Sequence, residues 1–182
     1  KEGGFDHPII HYYFPSKAKL FEAVMLEICE EWYKSNIKWF TQLKYVKPRE
    51  GLDLFIDGLI DYNTRHPELL RIFALNLPQS DRIDEVPGYQ HIPKLLARTR
   101  EEFQKTISPR ATSEEIGMFV SSFNSLAMYF LGAGSCQAQI LGMEVGSNEY
   151  FTWVKNTLMF IFLPTLKKLV YAHKEKMSAE SM

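Results

Sequence analysis

Cysteine is scarce in this 182-residue chain: only Cys29 and Cys136, far apart and without metal-ligand spacing. A disulfide framework and a cysteine-built zinc site are excluded, and the pair reads as reduced thiols of a cytoplasmic protein. Net charge is nearly absent as well. With 21 Lys and Arg against 22 Asp and Glu the balance is −1, so the bulk of the chain is no general nucleic-acid binder. Any DNA contact must be local. No internal repeat, low-complexity segment, phosphate loop or zinc motif appears, and no signal peptide is visible. The 5 histidines are scattered, and no Ser/His/Asp or Cys/His arrangement is readable. The expectation is a non-enzyme with no catalytic residue, no metal and no cofactor.

What is present is apolar and helical. The apolar fraction is 46% and the aromatic fraction 14%, enough for a hydrophobic core in one or two domains. Leu20, Val24, Ile28 and Trp32 recur near the helical period in a helix expected over 16–45. Glu30 and Lys34 are an i,i+4 pair on it. Pro48 opens a helix ending near Arg65, with an apolar stripe of Leu52, Phe55, Ile56, Leu59 and Tyr62. Asp53, Asp57 and Asp61 on the same helix read as a solvated face. A short helix starts at His66-Pro67-Glu68 and stops at Pro78; a surface loop follows over 78–88. The next helix is expected over 89–107, its true start set by Pro93, with Arg98–Glu102 and Glu101–Lys105 pairs on its outer side.

Thr112-Ser113-Glu114-Glu115 is a capping box. The segment 116–143 behind it carries no charged residue; the next is Glu144. Ser121, Ser122, Asn124, Ser125, Ser135, Gln137 and Gln139 interrupt it, so a buried helix is expected rather than a membrane span. The small residues Gly132, Ala133, Gly134 and Ser135 permit a close helix–helix approach. The last helix is expected over 148–173, with Pro164 kinking it or ending one segment.

The first residues carry the functional signal. Gly4 marks a turn, Asp6 can cap a helix and Pro8 suits its first turn. Ile10 and Phe14 share one face; His7, Pro8 or Ile9, His11, Tyr12 and Tyr13 occupy the other. Pro15 stops the helix and Ser16 caps the next. Such a helix fits the recognition helix of a helix-turn-helix, which lies in the DNA major groove. The plain alternative is a short surface helix packed by Ile10 and Phe14. His7 and His11 have an i,i+4 metal spacing, but no third ligand is evident.

Gly4-Phe5, Tyr12-Tyr13-Phe14-Pro15-Ser16-Lys17 and Leu20-Phe21 together resemble the end of the DNA-binding domain in the TetR (tetracycline-repressor) family of transcription regulators. The match covers about a tenth of the chain and is specific. His11 departs from it, standing where the family usually has Tyr. The resemblance implies an all-α protein: 1–45 as the end of a helix-turn-helix domain plus a linker helix, and 46–182 as a helical ligand-binding and dimerisation domain. It also implies two helices upstream of Gly4, so the sequence is expected to be truncated. The implied partners are a double-stranded DNA operator, a small-molecule effector and a second copy of the chain, with no membrane.

Carried over position by position, His7, Pro8, Ile9, His11 and Tyr12 are candidates for base edges, and Tyr13 and Lys17 for phosphates. An effector pocket is expected between the linker helix and the capping-box helix. Its candidate lining is Trp32, Phe55, Leu59, Tyr62, Phe73, Phe103, Phe119, Ser122 and Met128, though each fits plain core equally. The two C-terminal helices are expected to pair across a two-fold axis through Gly134, Ser135, Ala138, Leu141, Trp153, Thr157, Phe160 and Ile161. Two rivals stand beside this: an α-helical small-molecule binding or carrier module that does not bind DNA, and an enzyme whose site clusters only in space.

Overall fold

The computed structural model describes residues 12–43, 45–76, 82–106 and 111–171. Among the described residues the chain is all-helical, with no strand. Helix α1 is Lys17–Leu43, α2 Pro48–Arg65, α3 Pro67–Asn76, α4 His91–Thr106, α5 Ser113–Gly132, α6 Ser135–Ile140 and α7 Asn148–Tyr171; one 3₁₀ turn covers Ile83–Glu85. None of them is long and apolar enough to cross a membrane.

Local chemistry sets most of the starts. The Lys19 N–H donates to Ser16 Oγ at 3.2 Å, so Ser16 satisfies an N–H that the first turn of α1 leaves free. Pro48 and Pro67 each occupy a first helical position, where the missing N–H costs nothing. Pro93 lies in the first turn of α4, which starts at His91, two residues after the Tyr89 expected from the pattern. At α5 the Thr112 hydroxyl accepts from Glu115 N–H at 3.1 Å, and the Glu115 carboxylate accepts from Thr112 N–H at 3.0 Å. This reciprocal pair is the capping box read from the sequence.

One continuous core joins the helices. It takes Met25, Ile28, Cys29, Trp32 and Phe40 from α1, Phe55, Ile56 and Leu59 from α2, Phe103 from α4, Phe119 and Phe123 from α5, and Val154, Leu158 and Phe162 from α7. α1 packs on α2 and α4, α3 on α5, and α7 on α2 and α5. Phenylalanine rings form its spine: Phe55 stacks on Phe123 at 5.4 Å and Phe103 on Phe119 at 5.4 Å, beyond their share of buried area. From Met25 onward α1 is therefore built into the same body as α2–α7.

Several expectations need correction. The uncharged segment 116–143 is not one helix. It breaks after Gly132, and Ala133 and Gly134 turn the chain into the short α6. Within one chain α5 leaves Met118 and Tyr129 exposed, as well as Ser121, Ser122 and Ser125. Of the two expectations for Pro164, ending a segment is the one that fails: α7 continues through it. The aspartates of α2 are not a purely solvated face. Lys155 of α7 reaches both Asp57 oxygens at 2.8 Å and Asp53 at 3.0 Å, while Asp61 pairs with Arg65. Burial lowers the Lys155 pKa, but its bonds to Asp57 and Asp53 outweigh this and hold it above the ordinary value. The expected outer pairs are also rearranged: Lys34 bonds Glu31, Lys105 bonds Glu102, and Arg98 crosses to Glu30 at 2.6 Å.

Candidate functional site

The sequence candidates fall in three places. Of the DNA-contact set, His7, Pro8, Ile9 and His11 lie outside the described residues. Tyr12 and Tyr13 end a helical turn before the Pro15-Ser16 break and are 84% and 70% exposed, with rings edge-to-face at 5.2 Å. Two solvated tyrosines contribute nothing to a core here. Phe14 is half-buried, and Lys17 is exposed at the first position of α1.

The expected effector-pocket residues mostly fill space rather than line it. Trp32, Phe55, Leu59, Tyr62, Phe103 and Phe119 are all buried in the core. Trp32 meets Tyr62 at 5.3 Å, and Phe40 meets both Phe55 and Phe103. Burial raises the Tyr62 pKa, helped by Glu31 and Glu68. The Phe73 side chain lies outside the described residues. Trp32 and Met128 do border one gap with Leu70, Leu95 and Asn124, but its volume is about 30 Å³, room for one water. Ser122 is exposed on the far side of α5, in an open groove of about 370 Å³ shared with Met118, Leu126 and Ile161. It does not face the core gap.

The dimer candidates also divide. Gly134 and Ala138 are buried inside the chain, so they have no surface to offer a second copy. A Cβ on Gly134 would fall on the Phe130 carbonyl and the Tyr150 hydroxyl; one on Gly132 would lie 2.5 Å from the Leu70 carbonyl. The close approach that small residues permit is thus made within one chain, between α3, α5 and α7. Leu141 and Trp153 pack against the core. Thr157 is half-buried, Ser135 and Ile161 are exposed, and Phe160 is 84% exposed.

The structure assembles one cleft that sequence reasoning missed. It has a volume of about 590 Å³ and lies where the end of α2, the start of α3, the 132–135 turn and the start of α7 meet. Asn63, Thr64, Pro67 and Arg71 form one wall, the turn with Ser135 a second, and Val145, Gly146, Tyr150 and Phe151 a third. The polar groups are unequal. The Tyr150 hydroxyl donates to Phe130 O at 2.9 Å, and burial pushes its pKa up to about 12, so it stays protonated. The Thr64 hydroxyl is spent on Ile60 O at 2.8 Å. Asn63 is only 6% exposed, and its Oδ1 has no hydrogen-bond partner among the described residues. An unpaired buried amide oxygen costs about 1–3 kcal/mol, which marks the position as unusual. Arg71 is exposed and has no ion-pair partner among the described residues. Among the described residues no acidic side chain lines the cleft.

One sequence signal pointed here. Asn63 stands four residues after Leu59 on the apolar stripe of α2, an amide where the pattern asks for a hydrocarbon. Arg71, Val145 and Phe151 gave no signal, because nothing local distinguishes them. Among the described residues no group of three His, Cys, Asp or Glu side chains is placed to hold a metal. Comparison with family models, with curated proteins and with solved structures finds no match to this chain.

Proposed function

We propose that the chain is a ligand-responsive, DNA-binding transcription regulator that represses by binding a pseudo-palindromic operator as a dimer and is released by a small apolar or aromatic effector. It acts in the cytoplasm by binding and not by catalysis. The observation that carries this is the run 4–17 with Leu20-Phe21, and above all its aromatic end: Tyr12 and Tyr13 exposed together, then Pro15, Ser16 and Lys17. Solvated aromatics beside a lysine suit contacts with bases and phosphates.

The course of α1 supports a coupling mechanism. Its first turn follows the tyrosines, and its later turns are held by α4. Gln90 donates to Glu22 at 2.8 Å, Arg98 pairs with Glu30, and the Arg98 guanidinium lies 3.6 Å from the Tyr33 ring centre. A shift of α4 therefore drags α1. An effector that favours one position of α4 redistributes the population between DNA-competent and incompetent dimers.

The test is selection of duplexes from a random library, followed by fluorescence anisotropy on the winners at several salt concentrations. A selected palindrome bound tightly and with steep salt dependence supports the regulator. Lys17→Ala then weakens binding evenly across sequences and lowers the salt slope by about one. An altered base preference with an unchanged slope refutes the phosphate role of Lys17. Equal, weak binding to all duplexes, with small-molecule binding retained, selects the α-helical carrier module instead; the missed cleft is the feature that favours that second reading.

A further inference from the structure

The cleft at the junction of α2, α3, the 132–135 turn and α7 has a chemistry of its own. Its volume of about 590 Å³ falls within the range of small-molecule sites, roughly 300–1,000 Å³. Its charge is one-sided: among the described residues Arg71 has no ion-pair partner, and Glu68, Glu144 and Glu149, close in sequence to other lining residues, do not line the cleft. Its apolar side is Leu131, Val145 and Phe151. Its deep polar group is the Asn63 amide, buried and without a partner for Oδ1. A rotation about the Asn63 Cβ–Cγ bond changes which end of the amide meets the cleft, so Asn63 can offer an acceptor there.

From these three facts we infer that this cleft is a binding site for a flat aromatic carboxylate that also carries a ring N–H or O–H. The carboxylate meets the Arg71 guanidinium, whose planar fork matches two oxygens. The ring lies along Phe151 and Leu131. The ring donor supplies the hydrogen bond that Asn63 Oδ1 lacks. The 132–135 turn forms the facing wall, and Gly134 cannot hold a side chain there because the Tyr150 hydroxyl occupies that space. Binding places one molecule across α3 and α7, both of which line the cleft. The site deepens the ligand-responsive part of the proposed function and is independent of DNA, so it stands or falls on binding measured without any duplex.

Isothermal titration of the full chain with indole-3-acetate tests it, using indole-3-acetamide and 1-naphthaleneacetate as analogues lacking the charge and the ring N–H. The expected result is saturable 1:1 binding of indole-3-acetate. Indole-3-acetamide should bind at least about tenfold more weakly, since a charged hydrogen bond is lost. 1-Naphthaleneacetate should bind several-fold more weakly. Arg71→Met and Val145→Trp alter exposed side chains, so both should fold with an unchanged circular dichroism spectrum; the first removes the charge partner and the second fills the cleft. Each should lose at least about tenfold in affinity. Absence of binding at millimolar ligand, or equal affinity in wild type and both variants, overturns the inference. Binding that survives alongside a failed operator selection retains it while removing the regulator.

Discussion

Gly134 and Gly117 sit on the same stretch of chain and make opposite demands. A Cβ on Gly134 has no room, because the Phe130 carbonyl and the buried Tyr150 hydroxyl occupy it, and these two are hydrogen-bonded to each other. A Cβ on Gly117 would meet nothing nearer than Arg100 Nη1 at 3.6 Å, ordinary contact with the end of a flexible side chain. Gly117 lies inside α5, where glycine is a poor helix former. Gly134→Ala should therefore destabilise by about 2 kcal/mol, through overpacking and the broken hydrogen bond, and lower Tm by about 4–8 °C. Gly117→Ala should stabilise by about 0.5–1 kcal/mol. Scanning calorimetry of the two variants against wild type decides this; effects of the same sign would defeat the packing account.

At the scale of the element, the capping box of α5 ties stability to acid. Hydrogen bonds from the Thr112 N–H and hydroxyl hold the Glu115 carboxyl below its ordinary value. A carboxyl lowered in the folded state adds stability above its unfolded value, and that stability disappears as pH falls through the folded value. Below about pH 4.5 wild type should lose stability more steeply than Glu115→Gln, whose amide does not titrate. Urea midpoints taken between pH 6 and pH 3 give the two slopes, and parallel slopes would contradict it. The capping box, like Pro48 and Pro67, was legible in the sequence because a helix start is local chemistry between residues one turn apart. The break after Gly132 was not, because the apolar run continues through it and periodicity carries no stop. Long-range pairs were equally hidden. Arg98 has Glu102 one turn along its own helix, yet it bonds Glu30 of α1, and only the packing of α4 on α1 makes that choice. The cleft drew residues from five helices and two connections, so of its lining only Asn63, misplaced on an apolar stripe, marked a pocket.

Across the whole molecule, apolar surface is distributed unevenly. Phe160 projects into solvent from α7 with Ile161 beside it, and Met118 and Tyr129 project from α5. The proposed two-fold pairing runs through Phe160 and Ile161, and an exposed aromatic ring is the kind of side chain that anchors an interface. Phe160→Glu should convert a dimer to a monomer in light scattering after size exclusion, at unchanged helix content, since Phe160 takes no part in the core. A variant that stays dimeric would move the interface elsewhere. The 3 tryptophans of the chain are also unevenly placed. Trp32 and Trp39 meet edge-to-face at 6.0 Å at the α1–α2 contact, close enough for their electronic transitions to couple. Trp153 stands apart, stacked at 6.2 Å on Tyr150, whose ring borders the cleft. The chain thus carries two kinds of optical reporter: a close tryptophan pair in α1, where exciton coupling is expected in circular dichroism, and a separate indole beside the cleft, isolated in emission once Trp32 and Trp39 are replaced by Phe. Light alone can time whether one end responds before the other.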